Sequence, residues 1–310
     1  EEDIFRWKDN VYSMAGNTWN GRVYGFYPDF SWGEGIIYNG TFLERRGLPS
    51  PAELYEKGRW DWSTFLELAR AATVDVNGDG IIDEYGLQAS FEVFIRNLVY
   101  SNGVLYINFN NEGKVNFGLS SKSQAAMNAL NFAREIFNVY KVATPSGWRF
   151  QDNKVAMYAN SSTVSYTITT LRPQMDNNVG IVPYPKGPDV SDYQLVSSTS
   201  QQFLFPAGIK DLADVAYVMA YAFSTWESSS SNYIPIEEVK YQYFNKFSRD
   251  TREFNMFMES FEKLRFDYYA GFANVGTYVQ DKLLSPIRNG TASVGAVIDS
   301  IYYPVQDMIN

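Results

Sequence analysis

The sequence predicts an α/β fold with mixed sheets. Short runs rich in β-branched and aromatic residues alternate along the chain with longer segments of helical apolar spacing. Hydrophobic residues make up 45% of the 310 positions, enough to bury a substantial core, and the length suits two domains or one large one.

The elements follow in order. "NGRVYGFYPDF" reads as an Asn20-Gly21 turn leading into a strand that carries Val23, Tyr24 and Phe26. "GIIYN" is a second short strand. "GTFLERRG" is a short helix stopped by Gly47 and Pro49. "SPAELYEKG" is a polar connector with a helical turn. "DWSTFLELARAAT" is a helix with Asp61 as its N-cap and an apolar face of Trp62, Phe65, Leu66, Leu68 and Ala69. "YGLQAS" is a strand, and "VFIRNLVYSNG" a helix closed by Asn102-Gly103. "VLYINFNNEGKVNFG" has the alternation of a hairpin about Asn111-Glu112-Gly113. "SKSQAAMNALNFAREIFNVYKV" is a long amphipathic helix. "DNKVAMYAN", "VGIVPYPKGPD" and "QQFLFPAG" supply further strands. "DLADVAYVMAYAFSTW", "TREFNMFMESFEKLRF", "VGTYVQDKLLSPIRNG" and "ASVGAVIDSIYYPVQDMI" are helices. No internal repeat occurs, and "SSSSNY" is a short polar loop.

Composition narrows the chemistry. The chain has no histidine and no cysteine. That removes His-based triads, HExxH zinc sites, thiolate metal sites, Cys nucleophiles and disulfides. The net charge of −9, with no Lys/Arg cluster, argues against a nucleic-acid partner. No apolar run is long enough to cross a bilayer. Aromatic residues make up 17% of the chain, high for a soluble domain; most are expected to fill cores and strand faces, and the sharper reading has some stack on a ligand with flat apolar faces, such as a sugar.

The stretch "VDVNGDGIIDEYGL" carries Asp75, Asp79, Asp83 and Glu84 within ten residues. Counted from Asp75, the residues Asp75, Asn77 and Asp79 fall at places one, three and five of a calcium loop. Gly80 is sixth, Ile81 offers the seventh-place carbonyl, and Asp83 is ninth. The twelfth place is Gly86 where a bidentate Glu is required, so Glu84 would have to fold back to close the shell. The expected cofactor is a structural Ca²⁺ held by Asp75, Asn77, Asp79, Ile81, Asp83 and Glu84. The alternative is a solvated acidic turn without an ion.

Six segments in one order resemble a known family. "NGRVYGFYPD…GIIYNGTFLERRGLPSP" and "WDWSTFLELARAATVDVNGDGIIDEYGL" are followed by "FQDNKVAMYAN", "NNVGIVPYPKGPD" and "DLADVAYVMAYAFSTW". Together they resemble the extracellular solute-binding proteins of bacterial ABC importers, of the carbohydrate-binding, maltose-binding-protein-like type. The resemblance runs, with gaps, from about Trp19 to Trp226. It implies a periplasmic-binding-protein-like two-lobe fold (type II) that closes over a ligand. It assigns 1–27 and 207–249 to the remainder of the N-terminal lobe, and 28–206 and 250–310 to the C-terminal lobe. The opening βαβ portion of the first lobe, a signal peptide and a lipid-bearing Cys are expected to lie outside this chain. Uncovered apolar helix faces would follow.

By position relative to those motifs, the ligand-binding residues are expected to be Trp32 and Glu34 after the hinge strand, Phe91 and Glu92 after "YGLQAS", Tyr166, and Phe272 with Asn274. Trp32 leads, because it stands in the Gly-flanked loop "SWGEG" rather than on a periodic face. Trp60 and Trp62 are expected to pack the start of their helix, and Trp148 is open between cleft rim and core. No catalytic residue is assigned. The function implied is a non-enzymatic carbohydrate receptor with an ABC permease as partner. It would be a monomer at full length, at the cell surface or in the periplasm, touching the membrane only through a precursor lipid anchor. The alternatives are a carboxylate-dependent glycoside hydrolase and a non-catalytic carbohydrate-binding or scaffold module.

Overall fold

The computed structural model describes residues 11–19, 21–27, 32, 34–109, 114–160, 166–175, 178–197, 203–206, 208–226 and 236–310. The "SSSSNY" loop and the residues Asn111-Glu112-Gly113 lie outside that set.

The first described elements are α1 (Val11–Asn17) and a ribbon of β1 (Thr18–Trp19) and β2 (Arg22–Val23), paired antiparallel. β3 (Gly25–Phe26) and β4 (Gly35–Asn39) come next, then α2 (Gly40–Arg45), α3 (Pro51–Glu56) and α4 (Trp62–Ala71). β5 (Tyr85–Ala89), α5 (Phe91–Ser101), the hairpin of β6 (Ile107–Phe109) and β7 (Val115–Phe117), and α6 (Gln124–Asn138) follow. β8 (Val155–Asn160), α7 (Arg172–Gln174), β9 (Val179–Val182), β10 (Leu195–Ser197) and β11 (Phe203–Leu204) complete the middle of the chain. The last elements are α8 (Leu212–Trp226), α9 (Ile236–Phe247), α10 (Thr251–Glu262), β12 (Leu264–Phe266), α11 (Ala273–Val279), α12 (Ser285–Asn289) and α13 (Val294–Ile309).

The central sheet has the order β5-β8-β4-β9. β4 runs antiparallel to both neighbours, while β5 and β8 are parallel, so the sheet is mixed. Every residue of β4 is buried, as a strand covered on both faces requires, and this is why "GIIYN" shows no polar alternation. The period of two still sorts its side chains. Ile36 and Tyr38 enter the main core, and Ile37 enters a smaller one with Phe150, Val155, Leu171, Met175 and Val179.

Helix starts obey local chemistry. Asp61 Oδ1 accepts from the Thr64 N–H at 2.9 Å, and the Thr64 hydroxyl accepts from the Asp61 N–H, a capping box. The side chains of Asn39, Ser50, Ser90, Ser123, Asp250 and Ser293 cap other helices by accepting one main-chain N–H each, without the reciprocal bond. "SPAELYEKG" is more than a connector, because Pro51 at the first helical turn nucleates α3. Trp60 and Trp62 are buried at the start of α4 as expected. Trp148 is partly buried, packed edge-on to Tyr85 at 4.7 Å.

One expectation changes. The helix over "TREFNMFMESFEKLRF" ends at Glu262, and Leu264–Phe266 turns into a strand parallel to Leu195–Ser197. Pairing with β10 overrides the helical spacing there. The helix α9 contributes to the main core. Phe244 of α9 is 1% exposed, and its ring lies 5.8 Å from Phe257 and 5.3 Å from Phe261.

β3 pairs antiparallel with β11 in a separate two-stranded ribbon, where Phe26 stacks on Phe203 at 5.7 Å. α8 leaves Val218 63% and Tyr221 56% exposed. No helix of the described residues is long and apolar enough to cross a membrane.

Candidate ligand site

Four aromatic rings from three separate chain segments meet beside the β3–β11 ribbon. Trp19 comes from the β1–β2 ribbon, Phe109 from the β6–β7 hairpin, and Tyr268 and Phe272 from the stretch after β12. Trp19 lies 4.7 Å from Phe109, 5.1 Å from Tyr268 and 6.0 Å from Phe272, centroid to centroid. Phe109 and Tyr268 are 5.7 Å apart at 73°. All four rings are partly buried, so each keeps some accessible surface. Trp19 and Tyr268 also line an apolar cavity of about 440 Å³ with Gly16, Tyr24, Leu204 and Phe205. The Tyr268 hydroxyl donates to the Thr18 carbonyl, which joins the C-terminal stretch to the β1–β2 ribbon.

A buried carboxylate holds this platform from below. Asp267 is fully buried and accepts main-chain N–H groups from Tyr106 at 2.6 Å, Ile107 at 3.1 Å and Tyr269 at 2.9 Å. It therefore ties the stretch that carries Tyr268 and Phe272 to the strand that carries Phe109. Burial pushes its carboxyl up to about 6 even though those N–H groups favour the anion.

A second polar cluster sits behind it. Glu34 takes the Arg96 guanidinium at 2.7 Å and the Asn97 amide. Burial works against the charge on Arg96, but the charge and hydrogen bond of Glu34 together with Tyr100 and Tyr106 outweigh it and raise the guanidinium above its ordinary value. The buried hydroxyl of Tyr106 and the Nε of Arg96 have no hydrogen-bond partner among the described residues. Tyr106 packs on Tyr269 at 4.8 Å, which brings this cluster up to the platform.

The residues expected to bind ligand divide. Phe272 belongs to the platform, and Asn274 is exposed two residues further on. Glu34 is committed to Arg96. Trp32, the leading expectation, is 1% exposed, packs edge-on against Phe257 at 5.1 Å and donates its indole N–H to Ser260 at 2.8 Å. It offers no ring face to a ligand. The ring turns inward to pack against α10. Phe91 is 2% exposed and packs on Phe137 at 5.0 Å, since it begins the buried face of α5. Glu92 accepts the Ser90 hydroxyl at 2.8 Å and stands 3.7 Å from Arg288. The Tyr166 hydroxyl accepts from Gln151 at 2.9 Å, and its ring packs with the smaller core on the other face of the sheet. Trp19, Phe109 and Tyr268 were not singled out from the sequence. The available signal was the turn dipeptide after Trp19, which sets that ring at the base of a tight ribbon.

The acidic loop is closed by its own main chain. Asp75 accepts from Gly78 and Gly80 N–H groups, both at 2.7 Å, Asp79 from Ile81 at 2.8 Å, and Asp83 from Val76 at 2.8 Å. The Gly80 N–H, with that of Gly78, holds the Asp75 carboxyl below its ordinary range. Glu84 does not fold back over the loop. It pairs with Arg45 at 2.9 Å and with Arg46, and it is removed from the ligand set. Among the described residues no three acidic side chains converge as a cation cage. Taking up an ion would require Asp75, Asn77, Asp79 and Asp83 to turn inward together, with the Ile81 carbonyl.

No family model and no curated relative matches the chain. Solved structures do. The cyclic α-maltosyl-1,6-maltose-binding protein of Arthrobacter globiformis matches with a TM-score of 0.69 at 13% identity, covering 100% of this chain and 77% of that one. A cyclo/maltodextrin-binding protein complexed with maltotetraose matches at 0.67 and 15% identity, covering 100% of this chain and 76% of that one. An ABC transporter solute-binding protein from Thermotoga lettingae, bound with α-D-tagatose, matches at 0.64 and 15% identity, covering 100% and 79%. The chain therefore has the two-lobed α/β fold of solute-binding proteins.

Proposed function

We propose that this chain is a carbohydrate receptor that binds its ligand without altering it and hands it to the permease of an ABC importer. The observation that carries the reading is the platform of Trp19, Phe109, Tyr268 and Phe272 beside the β3–β11 ribbon. Sugar C–H faces stack on such rings, and Asn274 at the rim serves a hydroxyl through its amide. The likeness in fold to proteins bound with maltotetraose and tagatose supports it. The platform joins three separate chain segments, so a ligand resting on it favours the arrangement in which those segments are close. The rings bind and orient, and no residue is assigned a chemical step.

The same reading places the protein outside the cytoplasmic membrane, as a monomer, held if at all by a lipid on a precursor segment. A Ca²⁺ ion on Asp75, Asn77, Asp79, Ile81 and Asp83 is part of the proposal, without Glu84. Titration calorimetry with maltotriose tests the receptor reading. Saturable heat, lost in Trp19→Ala, supports it. Reducing ends released from maltotriose, and abolished by changing one Glu, would sink it.

A further inference from the structure

A second cavity, of about 470 Å³, lies between α3 and α10 and shares no residue with the platform or its apolar cavity. That volume is in the range that small ligands occupy. Its floor is fully bonded. Arg249 donates to the Tyr38 hydroxyl at 2.8 Å and pairs with Glu253, and Glu253 also takes Arg172 at 3.0 Å and the Ile181 N–H at 3.3 Å. This network is a rigid base rather than a source of free groups. The rim is different. The Asn255 side chain is exposed there. Glu56 has its nearest cation, Arg252, at 3.8 Å, too far for a hydrogen bond. Tyr55 reaches Glu259 only at 3.5 Å. Arg252 donates one N–H to Asp250 at 3.4 Å and Glu259 takes Lys263 at 3.2 Å, which leaves further donors on Arg252 and Asn255 and further acceptor positions on Glu56 and Glu259 around one aromatic wall. That wall is Tyr55 against Tyr193, with ring centroids 4.4 Å apart.

We infer that this cavity is a second binding site, for a neutral polyhydroxylated molecule of one or two rings. Glu56, Asp192, Glu253 and Glu259 disfavour an anion, while Lys263 pairs with Asp192 and Arg172 and Arg249 pair with Glu253, so that with Arg252 the lining offers a cation little unbalanced negative charge. A neutral ligand with both hydroxyl donors and acceptors uses every rim group without importing charge, and its C–H face packs on Tyr55. Burial raises the Tyr55 hydroxyl and pushes that of Tyr193 up to about 12, so both remain donors at physiological pH. The inference does not rest on the platform.

The cavity supplies its own reporters, because Met256 and Ala52 line it. Protein labelled with ¹³C at Met and Ala methyl groups is titrated with D-glucose, with maltose and, separately, with glycine. Glucose or maltose is expected to move both methyl signals saturably, with half-saturation at about millimolar or below. Asn255→Ala, at an exposed position, is expected to weaken that response by about tenfold. The double variant Trp19→Ala/Tyr268→Ala is expected to leave it unchanged, which separates this site from the platform. No saturable movement with either sugar overturns the inference. So does a response indifferent to Asn255→Ala, or one to glycine alone, which would mark a zwitterion site.

Discussion

The Asp267 carboxylate accepts the main-chain N–H of Tyr106 at 2.6 Å, across 161 positions of sequence. With Ile107 and Tyr269 as further donors, it pins the C-terminal aromatic stretch to the start of the β6–β7 hairpin.

This pin has a pH signature. Folded, the Asp267 carboxyl titrates at about 6 because it is buried. Unfolded, it returns to about 4. Since the folded value is the higher, its contribution is most stabilising below about 4 and is lost as pH rises through about 6, amounting to about 2–3 kcal/mol. Urea unfolding of the wild type and of Asp267→Asn at several pH values between these limits checks it. The variant's stability should lack that downward component. Parallel pH profiles for the two proteins would contradict the assignment.

The platform makes its own demand. Trp19→Ala and Tyr268→Ala should each weaken maltotriose binding by about ten- to a hundredfold, because each removes a stacking face. Tyr268→Phe keeps the ring and loses only the bond to the Thr18 carbonyl, so it should retain most of the affinity. Tryptophan fluorescence titration reads all three. Full affinity in both alanine variants would rule out the platform.

Trp32 should behave as a core residue. Trp32→Phe removes the bond to Ser260 and should cost about 1 kcal/mol. Trp32→Ala leaves a cavity against Phe257 and should cost about 3–5 kcal/mol. Maltotriose affinity should be unchanged in the Phe variant. A large loss of affinity at unchanged melting temperature would restore Trp32 to the ligand site.

The acidic loop separates an ion from a bare turn. Calcium should raise the melting temperature over about the millimolar range, and Asp79→Ala should abolish the rise. Glu84→Gln should keep the calcium response while losing the pairs with Arg45 and Arg46. Equilibrium dialysis that finds no bound metal, with a melting temperature indifferent to chelator, would leave only the turn.

Local chemistry was legible in the sequence wherever it acts over a few residues. Asp61 was visible as a cap, "GIIYN" as a short strand and "DLADVAYVMAYAFSTW" as a helix, because caps, periods and apolar runs are short-range signals. The platform was only partly legible. Phe272 could be placed by resemblance, but Trp19 and Phe109 reach it through long-range packing that no local window contains. Trp32 misled for the opposite reason. A ring in a glycine-flanked loop looks available, and only Ser260, 228 positions away, shows which way it points. Leu264–Phe266 was hidden by a helical run, since the pairing with Leu195–Ser197 that makes it a strand is likewise remote.

The placement of β4 sets a clock for the whole molecule. Ile36, Ile37 and Tyr38 are paired on both edges and covered on both faces. No small fluctuation exposes their amides to solvent, so those protons exchange with deuterium only when the central sheet itself comes apart. Exchange at these three positions therefore measures global opening, and any ligand held by the folded form should slow it in proportion to its occupancy.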